Sequence, residues 1–123
     1  MPHVLIIDDQ QSNIEALGAL LTREGVSSDS VMSARQLGSI THQNYDAVFL
    51  DLEFPNDNGF TLLGEVRGKF PGAPVIAYSV HTSEMEAARE VGFDGFLGKP
   101  LSVRDFPEHI RQILNREPVW YLP

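Results

Sequence analysis

Five polar residues of this sequence follow short apolar runs, and their types suit the transfer of a phosphoryl group. They are the acidic pair Asp8 and Asp9, then Asp51, Ser79 and Lys99. Carboxylates held within several ångströms of one another repel by on the order of a few kcal/mol per close pair, so a hard divalent cation is expected among them. A carboxylate can attack phosphorus to form an acyl phosphate, while a lysine and a hydroxyl hold phosphoryl oxygens. The five residues therefore predict an aspartyl phosphoryl acceptor that uses Mg²⁺ or Mn²⁺.

The elements that would bring these residues together alternate in type along the chain. Short apolar runs are followed by amphipathic stretches five times, a pattern typical of βα units that form a parallel sheet covered on both faces. The predicted fold class is α/β, a single doubly wound (βα)5 flavodoxin-like three-layer sandwich with strand order 2-1-3-4-5. Ligands of such sheets bind beyond the carboxyl ends of the strands. The first and third strands are then neighbours, so the three aspartates converge with Ser79 and Lys99 beside them.

The acidic residues have separate predicted roles. Asp51 is the expected phosphoacceptor because the run before it, residues 47–50, is continuous and apolar enough to be the central strand. Asp9 and Asp51 are the expected direct metal ligands, and Asp8 is expected to bind mostly through water. The backbone carbonyl of Glu53 would complete the protein's share of the metal shell.

Several helix starts can be predicted from capping boxes, in which a serine is followed three residues later by Glu or Gln. Three such pairs precede expected helices: Ser12 with Glu15, Ser33 with Gln36, and Ser83 with Glu86. Gly25 and Gly92 are expected to end the first and fourth helices, because glycine tolerates the left-handed backbone found at many helix ends.

The last helix has two possible starts. Ser102 with Asp105 would place Pro107 inside the helix, where its ring clashes with an upstream carbonyl. We therefore favour Asp105 as the N-cap with Glu108 three residues on. The chain is expected to divide into a domain over residues 1–117 and a short apolar tail over residues 118–123.

These motifs resemble those of a known family, the CheY-like receiver domains of two-component response regulators. The matching elements are Asp8 with Asp9, Asp51 in its apolar strand, the loop Pro55–Gly59, Ser79, and Lys99 with Pro100. The resemblance implies a phosphorelay protein whose acceptor is phosphorylated by a sensor histidine kinase or a phosphotransfer protein. It also implies a cis bond before Pro100 and a switch in which Phe96 reports the state of the site. The expected output surface is formed by the fourth helix, fifth strand and fifth helix, which could also form a homodimer.

Three residues depart from the family pattern or stand at its variable positions. Val80 follows the hydroxyl residue where Ala or Gly is common in receivers, and its bulk should slow phosphoryl entry. Glu53 and His81 stand two residues after the acceptor and the hydroxyl, at positions that in this family tune the attack of water on phosphoaspartate. We expect these three residues to set the lifetime of the phosphorylated state. His42, His81 and His109 lack metal-ligand spacing and are interpreted as surface or structural.

The bulk properties narrow the class of protein. The chain has 123 residues, a formal net charge of −8 and no cysteine. These values predict a cytoplasmic globular domain with no attraction to nucleic acid or to anionic membranes, and no disulfide or thiolate site. No apolar segment approaches the ~20 residues of a membrane span.

The same residues fit several other functions less well. The chain could be the receiver fragment of a longer regulator, with the output in another domain, or a pseudo-receiver that binds a partner without phosphorylation. A Mg²⁺-dependent aspartyl phosphohydrolase is a remote alternative, since that class often has an aspartate where this chain has Glu53. The favoured interpretation is a signalling phosphoacceptor that is not an enzyme and at most catalyses its own phosphorylation and dephosphorylation. Its downstream protein is not identified by the sequence.

Overall fold

The computed structural model describes residues 2–40, 44–53 and 59–123. Its elements are β1 His3–Ile7, α1 Gln11–Arg23, β2 Ser27–Val31, α2 Ala34–Ser39, β3 Ala47–Asp51, α3 Gly59–Lys69, β4 Val75–Ser79, α4 Met85–Val91, β5 Gly95–Gly98, α5 Phe106–Leu114 and β6 Val119–Tyr121. The strands form one parallel sheet in the order β2-β1-β3-β4-β5-β6. The predicted α/β fold and the order of the first five strands are confirmed. None of the helices in these ranges is long and apolar enough to cross a membrane.

The core lies on both faces of the sheet because the central strands β3 and β4 are buried at every position. Leu5 and Ile7 of β1 pack in a cluster with residues of α2, α3 and α4, while Val4 and Ile6 pack in a second cluster with residues of α1 and α5. Successive side chains of a strand point to opposite faces, so a run such as residues 47–50 supplies both clusters. This double burial fixes the strands in register and so fixes where their polar ends lie.

Two of the three predicted capping boxes are wrong. α1 begins at Gln11, so Ser12 lies within its first turn, because the Asp8 carboxylate accepts a hydrogen bond from the Gln10 N–H at 2.9 Å and turns the chain earlier. α4 begins at Met85 after a single 3₁₀ turn that contains Ser83.

The second capping box and both helix-ending glycines are confirmed. Ser33 Oγ accepts a hydrogen bond from the Gln36 N–H at 3.1 Å. α1 ends two residues before Gly25, and Gly92 follows the last residue of α4 with a φ of +106°. Glycine adopts this left-handed conformation without the steric cost that other residues incur.

The start of α5 combines the two predicted alternatives. Asp105 is the N-cap residue and Pro107 lies in the first turn, as favoured. The Asp105 side chain forms no capping hydrogen bond and instead pairs with Arg104 at 3.1 Å. Ser102 Oγ accepts a hydrogen bond from the Asp105 N–H at 3.0 Å, so the other predicted pair forms the turn that precedes the helix.

The apolar tail contains a sixth strand that the sequence reading did not predict. β6 pairs with β5 in parallel, with Gly95 opposite Val119 and Phe96 opposite Trp120. Side chains alternate across β6 as they do across the other strands: Val119 packs in the cluster beneath α5, and Trp120 packs in the cluster that contains Phe96. The Arg89 guanidinium of α4 lies 4.4 Å from the centre of the Trp120 ring. The tail therefore extends both faces of the sheet.

Two glycines of β5 make room for β6. A Cβ atom at Gly95 would lie 2.7 Å from the Val119 carbonyl oxygen, and one at Gly98 would lie 2.5 Å from Pro123 Cδ. Both distances are shorter than a real carbon contact allows, so the close approach of the two strands requires glycine here.

Candidate functional site

Three carboxylates meet where β1 and β3 end. These strands are neighbours with Ile7 opposite Leu50, so the residues that follow, Asp8 and Asp51, come together. Oxygen atoms of Asp8, Asp9 and Asp51 all lie within 4.8 Å of one another. Asp8 and Asp51 are only 0% and 2% exposed, which means that their charges have little access to water.

Asp8 is held by donors of the protein on both of its oxygens. Its Oδ1 accepts from the Gln10 N–H at 2.9 Å, and its Oδ2 accepts from the Tyr78 hydroxyl at 2.6 Å. Burial and the adjacent Asp8 raise the pKa of Tyr78 well above its usual range, so the hydroxyl remains a donor. Each oxygen of Asp8 thus already accepts one hydrogen bond from the protein.

Asp51 has Lys99 as a positive neighbour and several groups that oppose its ionisation. Its Oδ1 accepts a hydrogen bond from the Glu53 N–H at 3.0 Å and lies 3.4 Å from Lys99 Nζ. Burial, together with the carboxyls of Glu53 and Asp8, raises the pKa of Asp51 to about 7, although the Glu53 N–H and Lys99 act in the opposite direction. The site therefore has an excess of negative charge, and a set of carboxylate oxygens suits a hard divalent cation.

Lys99 lies over this cluster and is itself largely enclosed. Its side chain is 13% exposed, and Nζ lies 3.8 Å from Asp8 Oδ2 and 4.5 Å from the centre of the Tyr78 ring. The Lys99 N–H donates to the Ser79 carbonyl at 2.8 Å, which ties the ends of β4 and β5 together. The bond from Lys99 to Pro100 is cis, the isomer that the resemblance implied.

Ser79 contacts two glutamates at the other side of Asp51. Its Oγ lies 2.9 Å from Glu53 Oε1 and 2.9 Å from Glu84 Oε1, and it accepts a hydrogen bond from the His81 N–H at 2.8 Å. The Val80 N–H also donates to Glu53 Oε1, at 2.8 Å. The side chain of Glu53 thus reaches into the site.

The family model described as the response regulator receiver domain matches residues 4–111. The chain belongs to this family. Among curated proteins, response regulator SaeR from Staphylococcus aureus is 27% identical over 118 residues, which cover 94% of this chain and 52% of SaeR. Hybrid signal transduction histidine kinase L from Dictyostelium discoideum is 28% identical over 120 residues, which cover 89% of this chain and 7% of the kinase. The receiver therefore spans about half or less of these relatives.

A solved structure supports the same assignment. A two-component response regulator from Clostridium difficile is 26% identical, with a TM-score of 0.82, and the match covers 94% of this chain and 98% of that one. Membership of the receiver family places the chain in two-component signalling and accounts for the acidic edge of the sheet.

The remaining predicted residues of the receiver lie in the core, at the rim of the site, on α5 or outside the described ranges. Phe96 is fully buried in the cluster that also holds Ala88 of α4. Val80 is 57% exposed, and its side chain lies at the rim of the site. His81 is exposed, and His109 packs against Tyr121 with ring centres 4.7 Å apart. The loop Pro55–Gly59, up to residue 58, and His42 lie outside the described residues.

Two contacts of the site were not predicted from the sequence, that of the Tyr78 hydroxyl with Asp8 and that of Glu84 with Ser79. Tyr78 is a usable signal for the first contact, because it lies within the buried strand β4 and a buried phenol hydroxyl needs a hydrogen-bond partner. Glu84 gives no such signal, since long acidic side chains are ordinary at helix starts.

Beside the acidic cluster lies a cavity of about 530 Å³. Its lining combines residues of α1, such as Leu17 and Leu20, with Tyr78, Val80 and Lys99. The cavity is mostly apolar and adjoins the charged groups that surround Asp51.

Proposed function

We propose that this receiver accepts a phosphoryl group on Asp51 from a phosphohistidine of a sensor histidine kinase or a phosphotransfer protein. The observation that carries the proposal is the enclosure of the Asp51 carboxylate between Asp8, Asp9 and Lys99, with Lys99 Nζ at 3.4 Å. Asp9 and Asp51 would bind Mg²⁺ or Mn²⁺ directly, Asp8 would bind it through water, and the Glu53 carbonyl would add a ligand.

In the proposed reaction an Asp51 oxygen attacks phosphorus while the bond from phosphorus to the donor imidazole breaks. The electron pair of that bond remains on the imidazole nitrogen, which takes a proton from water. Lys99 holds one phosphoryl oxygen as an ammonium donor, and the Ser79 hydroxyl holds another. A cation held by Asp9 and Asp51 would supply positive charge that neutralises the phosphoryl oxygens and the carboxylates.

We further propose that the receiver acts as a signalling phosphoacceptor whose chemistry is limited to its own phosphorylation and dephosphorylation. The Glu53, Val80 and His81 positions at the rim of the site would set how long the phosphoryl group lasts. Residues 118–123 would act as part of the domain, because Val119 is buried against it. In a longer regulator comparable in length to SaeR, the output would lie in a second domain.

The proposed output surface consists of α4, β5 and α5, with Phe96 as the residue that responds to Ser79. β6 lies along the edge of β5, so a homodimer or a downstream protein that uses this surface would contact β6 or displace it. Trp120 is then the residue best placed to report on the surface, because it packs in the same cluster as Phe96.

The test is incubation with acetyl phosphate and Mg²⁺ followed by intact mass measurement. The wild type should gain the mass of one phosphoryl group, and Asp51→Asn or omission of Mg²⁺ should abolish the gain. Asp46→Asn removes an exposed carboxylate from the same segment and should leave the gain unchanged. A wild type that gains nothing would favour a pseudo-receiver, and phosphorylation that persists in Asp51→Asn would exclude Asp51 as the acceptor.

A further inference from the structure

We propose that the Glu53 carboxylate is a built-in occupant of the phosphoryl site. It takes the position of a phosphoryl oxygen on Ser79 and Val80 and competes with the incoming group. The proposal rests on the proposed role of Asp51 as acceptor and deepens it.

The first argument is the convergence of two donors on one carboxylate oxygen. Glu53 Oε1 accepts from the Ser79 hydroxyl at 2.9 Å and from the Val80 N–H at 2.8 Å. A side-chain hydroxyl and a backbone N–H directed at a single anionic oxygen form the kind of preorganised site that binds a developing oxyanion. The Ser79 hydroxyl and the Val80 N–H therefore form an anion site, and the Glu53 carboxylate fills it.

The second argument is the position of that site relative to Asp51. Tyr78 is the register partner of Asp51, so Ser79 lies just beyond the acceptor on the neighbouring strand. The Glu53 N–H donates to Asp51 Oδ1 at 3.0 Å, which keeps the start of the glutamate side chain beside the acceptor. A phosphoryl group on Asp51 would extend towards the same two donors. The Ser79 hydroxyl has one proton and can serve only one of the two anions at a time.

The third argument is that the Glu53 carboxylate lacks a hydrogen bond on one of its two oxygens. Its Oε2 is buried and has no hydrogen-bond partner among the described residues. A buried carboxylate oxygen without a donor is costly, and the negative charges of Asp51 and Asp8 add repulsion. The two donors on Oε1 hold the side chain in place, and a phosphoryl group that offers more oxygens and a second charge would displace it.

Glu84 is a second acceptor for the same hydroxyl. Its Oε1 lies 2.9 Å from Ser79 Oγ, the same distance as Glu53 Oε1. The single hydroxyl proton of Ser79 can therefore be given to Glu84 when a phosphoryl group displaces Glu53 or when Glu53 is removed.

The decisive experiment measures the binding of beryllofluoride, a tetrahedral phosphoryl analogue, in the presence of Mg²⁺ by titration calorimetry. Glu53→Gln removes the charge and keeps the size, and Glu53→Ala empties the site. Both variants should bind about tenfold more tightly than the wild type, a factor that corresponds to about 1.4 kcal/mol. Glu86→Gln removes the same charge from an exposed position at the start of α4 and should match the wild type. Equal affinities in wild type and both Glu53 variants would overturn the competition.

A second measurement tests the occupancy without any phosphoryl analogue. The Val80 N–H should be protected from hydrogen exchange in the wild type and in Glu86→Gln, and should lose that protection in Glu53→Ala. Unchanged protection in Glu53→Ala would overturn the inference even if phosphorylation proceeds as proposed. Lost protection together with a wild type and variants that bind no beryllofluoride would support the occupancy and overturn the role of Asp51.

Discussion

At the ends of β1 and β3, Asp8 and Asp51 are buried beside each other and leave the site with excess negative charge, whereas along β5 and β6 the strands meet through apolar side chains and glycine. The two regions belong to the same sheet, but one contains unrelieved charge repulsion and the other is closely packed. The acidic end keeps repulsion that a cation or a phosphoryl group can relieve, so removing charge there should stabilise the fold. The β5–β6 edge is already well packed, so adding atoms there should destabilise it.

The largest effect should come from Gly95→Ala at the packed edge. The new Cβ would lie 2.7 Å from the Val119 carbonyl oxygen, a backbone atom that can move only if β6 moves. Overpacking of this kind should lower the free energy of unfolding by about 2 to 3 kcal/mol. Urea unfolding followed by the fluorescence of Trp120, the single tryptophan, measures both the loss of stability and the displacement of the strand.

Gly64→Ala is the matched control for this comparison. A Cβ atom at Gly64 meets nothing within 4 Å, and the residue lies within α3. The substitution should raise stability by about 0.5 to 1 kcal/mol, since alanine favours the helix. If Gly95→Ala raised the free energy of unfolding as Gly64→Ala is expected to do, β6 would not pack closely against β5.

Asp51→Asn should stabilise the receiver when divalent cations are removed. The folded pKa of Asp51 is raised to about 7 from 3.8, so its favourable contribution to stability is present below about pH 4 and is lost as pH rises through 7. At pH 8 the neutral variant should exceed the wild type by on the order of 2 kcal/mol, and the difference should shrink towards pH 4. Urea unfolding in EDTA across this pH range gives the measurement.

Mg²⁺ supplies the control for the acidic end. Added at pH 8, it should stabilise the wild type more than Asp51→Asn, because the cation relieves the repulsion that the substitution has already removed. The difference in the free energy of unfolding between the two proteins could instead be the same at pH 4 and pH 8, with and without Mg²⁺. That result would show that the charge of Asp51 does not destabilise the folded state.

Tyr78→Phe should have a smaller effect, in the opposite direction from Asp51→Asn. It removes the hydroxyl that donates to Asp8 Oδ2 at 2.6 Å and leaves the ring beneath Lys99. A buried hydrogen bond to a carboxylate typically contributes about 1 to 2 kcal/mol, so we expect a loss near the lower value. Chemical denaturation at pH 7 measures it. A more stable Tyr78→Phe variant would mean that Asp8 has little need of this donor.

Much of the fold could be predicted because the apolar strands are unambiguous. Residues 4–7 and 47–50 are apolar at every position, which predicts double-sided burial and hence a parallel sheet. Once the strand order follows, the polar residues at the strand ends must share one edge, and the structure places oxygens of all three aspartates within 4.8 Å of one another there. Short-range patterning and the rules of parallel sheets together carry this part of the prediction.

The features that could not be predicted depend on competition between hydrogen-bonding and packing partners within the chain. Ser12 and Ser83 have capping spacing, but Asp8 turns the chain into α1 earlier and a 3₁₀ turn precedes α4. β6 has only three residues, and its pairing depends on glycines some twenty residues upstream. The reach of Glu53 to Ser79 depends on a side-chain rotamer, which local sequence does not specify.

The tail strand also changes how the sheet meets other chains. An unpaired strand edge is a template for pairing with another molecule, and proteins protect such edges with short strands, charges and prolines. β6 offers an edge of only three residues, bracketed by Pro118 and Pro123. At the opposite edge, three consecutive residues of β2, Ser28 to Ser30, are exposed and polar, with the charge of Asp29 among them. Both borders of the sheet thereby discourage the edge-to-edge association through which β proteins aggregate.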